Sequence, residues 1–282
     1  MKKIIINADD FGLCAPVNEG IILAHRRGIL TSATLMTNTP GFEQAVALAR
    51  ENPALGVGVH LNIVRGRPLS PPEEIPTLVG PDGRFPAGAG RILLKLAAGR
   101  IRPVEIEREL RAQVEKARAT GLPLTHLDSE KHMHAVPVVF EIVLRLGREY
   151  GFRRVRFIRE YGFSRHPAQS LKAAFLSLCC ARMRRRVRAA GFVITDSFYG
   201  ICNSGRMSAA RLRRIFRRAG EGTAEIGVHP GFQNPELFAV EAEVGRYYIN
   251  AFREGELQAL LDPGLPAAAR ASNVALVNFN GI

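Results

Sequence analysis

The chain lacks residues that several common classes of protein need. Tryptophan is absent and aromatic residues make up 7% of the 282 positions, so platforms for stacking single-stranded nucleic acid are not evident. The four cysteines show no C-x-x-C spacing, which argues against a zinc knuckle and a disulfide framework. No segment approaches the roughly 18 uninterrupted apolar residues of a membrane span. We therefore expect a soluble protein of the reducing cytoplasm.

Positive charge is the main excess. Lysine and arginine number 39 against 26 acidic residues, giving a formal net charge of +13. Arginines crowd two predicted helices, at 171–190 and 208–219. This excess suggests a nucleic-acid or anionic-membrane partner, although solvated outer faces of helices would explain it equally. Because aromatic residues are few, we expect no nucleic-acid partner.

Hydrophobic periodicity predicts an unbroken alternation of strands and helices. The predicted strands begin at Ile4 and continue at 29–36, 55–61, 123–128, 155–158, 192–196, 224–229 and 274–279. The predicted helices span 16–28, 41–51, 101–121, 136–150, 171–190, 208–219 and 245–261. About eight strands and about seven helices predict an α/β fold with a parallel sheet, closed or nearly closed into a barrel.

Two further segments bear on the organisation. The apolar run at Ile4 breaks at Asn7, whereas the core of a signal peptide needs about 7 or more apolar residues, so we expect it to be the first strand. Residues 68–86 hold many prolines and glycines, which predicts a loop with a task such as a lid or a substrate wall. The length fits a single domain over residues 1–282.

Polar side chains collect where the predicted strands end. Two adjacent carboxylates, Asp9 and Asp10, directly follow the first strand. Others at such positions are His60, Asp128, Glu130, His132, His134, Arg159, Glu160, Asp196 and His229. Since the carboxyl ends of barrel strands form one rim, we expect these distant residues to face a single mouth.

Carboxylates and imidazoles at one rim suit a divalent metal such as zinc, while a mostly oxygen set favours magnesium or manganese. A catalytic metal polarises a carbonyl and lowers the pKa of bound water toward about 7, and a carboxylate base with a histidine acid would complete amide or ester hydrolysis. One of Asp9 and Asp10 could hold the metal while the other acts as base. They could equally be a helix cap and a turn residue, and His126 could be a core histidine.

Four segments together resemble the YdjC-like carbohydrate deacetylases, a family that includes chitooligosaccharide and hopanoid-associated deacetylases. They are Asn-Ala-Asp-Asp-Phe-Gly at 7–12, Gly-Val-His-Leu-Asn at 58–62, the run 125–134 and His-Pro-Gly at 229–231. The resemblance covers nearly the whole chain. It implies a TIM-barrel-like fold, a divalent metal and removal of N-acetyl groups from amino sugars. It further implies that Asp10 and His60 are metal ligands, Asp9 the base that activates water, and His229 the acid for the leaving amine.

Glu130 departs from the family pattern. The family usually has a metal-binding histidine directly after Asp-Ser, where this chain has Glu130. A glutamate can bind a metal but favours magnesium or manganese. Alternatively His132 or His134 takes the position, or metal binding is weak. The remaining candidates are assigned to substrate binding or to support of the ligands: Asp128, His132, His134, Arg159 and Asp196.

Three functions stay open. The first is a metal-dependent hydrolase that removes an N-acetyl group from an oligosaccharide or a lipid-linked glycoside. The second is a catalytically decayed member that binds a sugar or a membrane, with Glu130 marking the decayed site and the arginine clusters binding the anionic partner. Helix 171–190 begins apolar and becomes cationic after Arg182, so it could also rest on an anionic membrane and bring a lipid-linked sugar to the rim. The third is a hydrolase of another amide or ester. A homodimer also stays open.

Overall fold

The computed structural model describes residues 1–160, 167–246 and 248–282, which form an α/β fold. The strands are β1 (Lys2–Phe11), β2 (Ser32–Leu35), β3 (Gly56–Leu61), β4 (Leu127–Ser129), β5 (Ser197–Tyr199), β6 (Gly222–Val228) and β7 (Val274–Leu276). The helices are α1 (Ala15–Arg27), α2 (Phe42–Arg50), α3 (Ala89–Ala97), α4 (Pro103–Ala119), α5 (Pro137–Glu149), α6 (Pro167–Ala189), α7 (Ala209–Arg218), α8 (Pro235–Ala239), α9 (Glu241–Val244), α10 (Arg253–Leu260) and α11 (Leu265–Ala271). Short 3₁₀ helices occupy Pro72–Glu74, Glu130–Ala135, Tyr248–Phe252 and Phe279–Gly281.

β1 is the central strand of a parallel sheet. The strand order is β4-β3-β2-β1-β6-β5, and β7 pairs with the first residues of β1. Ile4, Ile5 and Ile6 of β1 are completely buried, as expected for a parallel strand that is covered on both faces. Because every strand pair is parallel, the carboxyl ends of the strands lie along one edge.

The two outer strands of this sheet are linked by isolated bridges. Leu127 of β4 bridges Val155, and Arg154 bridges Val193 just before β5. The sheet is therefore curled, which is consistent with the distorted barrel that the sequence predicts. The predicted strands at 155–158 and 192–196 are wrong as regular strands, because these short segments meet their neighbours at single bridges and form no continuous ladder.

Other elements also differ from the sequence prediction. The predicted helix at 245–261 begins later than predicted, because Gly245 ends α9 with a φ of +81° and regular α-helix starts only at Arg253, after a 3₁₀ turn at Tyr248–Phe252. Residue 247 lies outside the described residues. Helix α3 was not predicted. The predicted loop at 68–86 contains one short turn of 3₁₀ helix, Pro72–Glu74.

Apolar side chains pack in two clusters against the sheet. One cluster joins β1 and β2 to α1, α2 and α7, and the other joins β3 and β4 to α4, α5 and α6. The spacing of Ile106, Leu110 and Val114 along α4 places all three side chains in the second cluster, as their helical period predicts. Among the described helices, none is both long enough and apolar enough to cross a membrane.

Candidate metal centre and active site

Both carboxylates at the end of β1 reach the polar cluster at the strand ends. The register between β1 and β2 shifts between Ala8 and Phe11, and Asp10 has a φ of 71°. Such left-handed backbone is uncommon outside glycine and is typical of bulges and functional sites. The kink releases Asp10 from the strict alternation of a strand, so Asp9 and Asp10 contact different histidines within one cluster.

Three buried side chains bring donor atoms together. His60 Nε2 lies 3.8 Å from Asp10 Oδ1 and 3.5 Å from Glu130 Oε2, and one donor atom from each residue lies within 4.8 Å of the other two. His60 Nε2 has no hydrogen-bond partner among the described residues. A buried nitrogen without a partner is costly, and two carboxylates facing it attract a cation. The donor set therefore fits a divalent metal.

Arginines hold the outer oxygens of both carboxylates. Arg253 Nη2 donates to Asp10 Oδ2 at 2.6 Å, and Arg65 Nε donates to Glu130 Oε1 at 3.0 Å. Burial by itself would raise the pKa of Glu130, but Arg65 and Lys131 hold this pKa well below its usual range. Glu130 is therefore ionised, and the guanidinium groups direct one oxygen of each carboxylate toward His60.

Asp128 orients His60. The two residues are register partners on β3 and β4, and His60 Nδ1 donates to Asp128 Oδ1 at 2.7 Å. Thr34 donates to the other carboxylate oxygen at 3.1 Å. Burial opposes protonation of His60, but Asp128 and Glu130 raise its pKa well above the usual value. Because Nδ1 is engaged by Asp128, Nε2 is the nitrogen available to a metal.

Arg156 contacts three carboxyl groups next to this cluster. Its side chain is completely buried, and Nη1 and Nη2 donate to the two oxygens of Asp9 at 2.9 and 2.6 Å. Nη1 also lies 2.8 Å from Asp128 Oδ2, and Nε donates to Glu225 Oε1 at 2.7 Å. Burial raises the pKa of Glu225 to about 7 although Arg156 is adjacent. One guanidinium thus binds three carboxyl groups from three strand positions.

His229 lies between Asp9 and Glu256. Its Nε2 is 3.9 Å from Asp9 Oδ2, and its backbone N–H donates to Glu256 Oε2 at 2.6 Å. Burial would raise the pKa of Asp9, but the Arg156 guanidinium outweighs it and holds this pKa well below its usual range. Asp9 is consequently a carboxylate at neutral pH. The His229 side chain is 17% exposed, which leaves it accessible from the rim.

A small cavity opens over these groups. Its volume is about 30 Å³, enough for an ordered water molecule. The residues that line it are Asp9, Glu130, Lys131, His132, Lys172, Ser204, His229 and Ile249. A candidate ligand, Glu130, therefore shares one space with the Asp9–His229 pair.

Residues 3–271 match the family described as YdjC-like protein. The chain belongs to the YdjC-like family. The predicted family membership is thereby confirmed.

Individual proteins agree with this assignment. The chain is similar to a carbohydrate deacetylase of Geobacillus stearothermophilus, with 34% identity over 99% of this chain and 97% of that protein. A carbohydrate deacetylase of Brevibacillus brevis is 51% identical over 52% of this chain, a stretch that spans 56% of that protein. In fold, the chain is similar to a crystal structure from Enterococcus faecalis V583, described as that of a proposed cellobiose-phosphate cleavage protein. The TM-score is 0.78 at 24% identity, covering 99% of this chain and 98% of that one.

Other residues predicted for the site of this YdjC-like protein lie at its margin. His132 lines the cavity from a left-handed backbone position with a φ of 60°. His134 is more deeply buried than His132, and its Nδ1 lies 2.7 Å from Ser129 Oγ. Burial lowers the pKa of His134 to about 3, so its imidazole is neutral. Neither histidine replaces Glu130 in the group that faces His60.

Arg159 and Asp196 are not brought into the cluster. Arg159 Nη1 donates to the backbone carbonyl of Asp196 at 3.3 Å. The Asp196 carboxylate accepts from the N–H of Thr223 at 3.0 Å, near the amino end of β6, and the site lies at the carboxyl ends. His126 packs against Phe279 with ring centroids 3.5 Å apart, which is a structural contact.

The sequence prediction missed the arginines that organise this site. Arg156 and Glu225 each stand inside an apolar run that was predicted as a strand, and a charged residue in such a run is the signal that could have identified them. Arg65 and Arg253 lie in segments without any comparable pattern. Their role depends on contacts that only the folded chain creates.

Proposed function

We propose that this YdjC-like protein is a metal-dependent hydrolase that removes an N-acetyl group from an amino sugar. The observation that carries the proposal is the buried His60 Nε2, which has no hydrogen-bond partner in the described chain and faces carboxylate oxygens of Asp10 and Glu130. The relatives named carbohydrate deacetylases support hydrolysis of a sugar amide, since one of them matches along nearly its full length.

Asp10, His60 and Glu130 would hold the divalent ion. Two carboxylates and one imidazole suit magnesium, manganese or zinc, and Glu130 in place of the family's histidine favours the first two. When bound, such an ion supplies carbonyl polarisation and a more acidic water molecule. Arg65 and Arg253 keep the two carboxylates oriented for this task.

Asp9 and His229 would move the protons. We assign to Asp9 the removal of a proton from the attacking water, and to His229 the protonation of the departing amine. Their separation of 3.9 Å supports transfer between neighbouring groups, and both line the cavity. The bidentate Arg156 contact makes Asp9 a weak base, because it stabilises the carboxylate; the Asp9→Asn variant below tests this role directly.

The rim offers space for the rest of a substrate. Two grooves of about 530 and 760 Å³ share Gly66, Arg84, Glu243 and Val244, and the predicted loop at 68–86 borders both of them. The first is lined by Thr37 and Asn38, which follow β2 at the carboxyl-end edge. We infer that the sugars flanking the N-acetyl group bind along these grooves, in an oligosaccharide or a lipid-linked glycoside.

Two isolated bridges and the free cysteines support two further proposals, one on the fold and one on the location. We infer a TIM-barrel-like ring in which the bridged segments at 154–155 and 193 occupy the positions of regular strands. The four cysteines are free thiols, which supports a reducing cytoplasmic location.

Metal content and acetate release test the proposal together. Purified protein dialysed against magnesium, manganese or zinc should hold one divalent ion per chain by elemental analysis. Asp10→Asn and His60→Gln should lose that ion. Asp9→Asn and His229→Ala should keep the ion. Their rate of acetate release from N-acetylated chitooligosaccharides should fall by about 10²-fold or more.

Asp196→Asn is the matched control, because it makes the same chemical change at the amino end of β6. It should retain both metal and activity. Full activity in Asp9→Asn or His229→Ala would remove the role assigned to that residue. A wild-type protein that binds no divalent ion, or an unchanged ion content in both ligand variants, would refute the metal centre.

A further inference from the structure

One face of α6 exposes apolar and then cationic side chains. Leu171, Phe175 and Leu178 are 73%, 47% and 51% exposed. Arg182 and Arg185 are exposed and continue the same line. Residues spaced by three and four positions share one face of a helix. These five side chains therefore form a continuous surface, which we call the α6 stripe.

The opposite face of α6 packs into the hydrophobic core. The side chains buried there are Ala173, Leu176, Cys180, Met183 and Val187. The helix is thus anchored without the α6 stripe, and within the described part of the chain its three apolar side chains stay exposed. Exposed large apolar side chains on α3, α4 and α8 occur singly, which is ordinary for a protein surface.

The charge of the α6 stripe indicates which kind of partner binds it. No ion pair of Arg182 or Arg185 is found within the described ranges, and the whole chain carries +13. An apolar line continued by arginines matches an anionic bilayer, where apolar side chains enter the headgroup boundary and guanidinium groups meet lipid phosphates. A second copy of the chain would present the same positive charge and be repelled.

The apolar half of the α6 stripe borders the candidate active site. Lys172, next to Leu171, lines the small cavity together with Asp9 and His229. We propose that the α6 stripe docks on the surface of an anionic lipid bilayer, with the cavity at the edge of the contact. Docking of this kind does not require the proposed deacetylation.

Vesicle sedimentation tests the docking. The full chain should sediment with vesicles of equal parts phosphatidylglycerol and phosphatidylcholine, and not with phosphatidylcholine alone. Arg182→Gln with Arg185→Gln should weaken binding roughly 30-fold, which corresponds to about 1 kcal/mol for each arginine. Leu171→Ser with Phe175→Ser should weaken binding about tenfold, and this loss should persist when added salt screens the charges.

The matched control is Arg214→Gln with Arg218→Gln on α7, which changes the net charge equally at another exposed helix. It should bind nearly as well as the wild type. Thermal unfolding midpoints of all variants should agree, since every substituted side chain is exposed.

Three outcomes would overturn the proposal. The first is the absence of binding to anionic vesicles. The second is an equal loss in the α6 and α7 charge variants, which would assign binding to net charge alone. The third is a dimer, measured by light scattering, that Phe175→Ser dissociates, which would assign the α6 stripe to a contact between copies of this chain. Release of acetate from a soluble N-acetylated sugar, measured alongside, tests the proposed function separately.

Discussion

Asp10 shows how a single backbone conformation builds the site. On a regular strand, the side chains of Asp9 and Asp10 would point to opposite faces. The φ of 71° at Asp10 and the register shift beside it bring both into one cluster, Asp10 facing His60 and Asp9 facing His229. Arg253 donates to the Asp10 carboxylate at 2.6 Å and fixes its orientation.

Arg156 should be the most important single side chain for stability. Arg156→Met should lower the free energy of unfolding by about 3–5 kcal/mol, because three buried carboxyl groups would lose their shared cation. Urea unfolding monitored by circular dichroism measures the change. Arg154→Met is the control: its guanidinium donates to the backbone carbonyl of Ile282, so a loss of about 1 kcal/mol or less is expected. Equal losses in both variants would contradict the role of Arg156.

Glu130 should set the metal preference. Glu130→His replaces a carboxylate with an imidazole, so the affinity for zinc relative to manganese should rise on the order of tenfold. Equilibrium dialysis followed by elemental analysis gives the ratio. Glu130→Gln, which also frees Arg65 but adds no nitrogen ligand, should lower both affinities. An unchanged ratio in Glu130→His would show that Glu130 is not a ligand.

At the scale of elements, β3 packs closely against β4 and the residue that precedes it. A Cβ at Gly58 would lie 2.4 Å from His126 Cε1. Close packing of this kind places His60 and Asp128, two residues further along each strand, in direct register. The glycine in the motif at 58–62 thus serves the alignment of the site as well as the strand.

Gly58→Ala should therefore destabilise the protein by about 1–3 kcal/mol, since the added methyl overlaps the His126 ring. Thermal or urea unfolding measures this. Gly90→Ala provides the same substitution in α3, where a Cβ meets nothing within 4 Å, and should be neutral or stabilising. In the double variant Gly58→Ala with His126→Ala, the cost should be smaller than the sum of the single variants. Strict additivity would rule out the contact as the cause.

Secondary structure was predicted best where an element is long and periodic. Helix α4 was predicted at 101–121 and spans Pro103–Ala119. The segments at 155–158 and 192–196 were predicted as strands because they are apolar, but a short run cannot show how many backbone hydrogen bonds its neighbours will accept. They form bridges, and Arg156 within one of them turns to the buried carboxyl groups.

At the scale of the whole molecule, buried ionisable groups couple stability to pH. His134 has a pKa lowered from 6.5 to about 3, so the unfolded chain binds its proton first as pH falls. The stability that a neutral buried His134 provides is present above pH 6.5 and is lost as pH falls toward 3. Glu225, with a pKa raised from 4.5 to about 7, acts in the opposite direction, because there the folded chain binds the proton first.

A His134→Gln variant separates these contributions. It should be less stable than the wild type at pH 7, since the imidazole contact with Ser129 is lost. From pH 7 to pH 5, however, its free energy of unfolding should fall by about 2 kcal/mol less than that of the wild type. Urea titrations at the two pH values measure the difference. An identical pH dependence in variant and wild type would show that His134 does not stay neutral when buried.

The sequence by itself determined the family and the alternation of strands and helices, and it predicted that Asp10, His60 and Glu130 lie among polar residues at one edge of the sheet. This last prediction follows because parallel strands place their carboxyl ends on one edge, whatever their separation along the chain. Only the tertiary structure decided which cations neutralise the carboxylates. Arg156 meets Asp9 across 147 positions and Arg253 meets Asp10 across 243, and such pairings follow from how the sheet curls and packs, which no local pattern records.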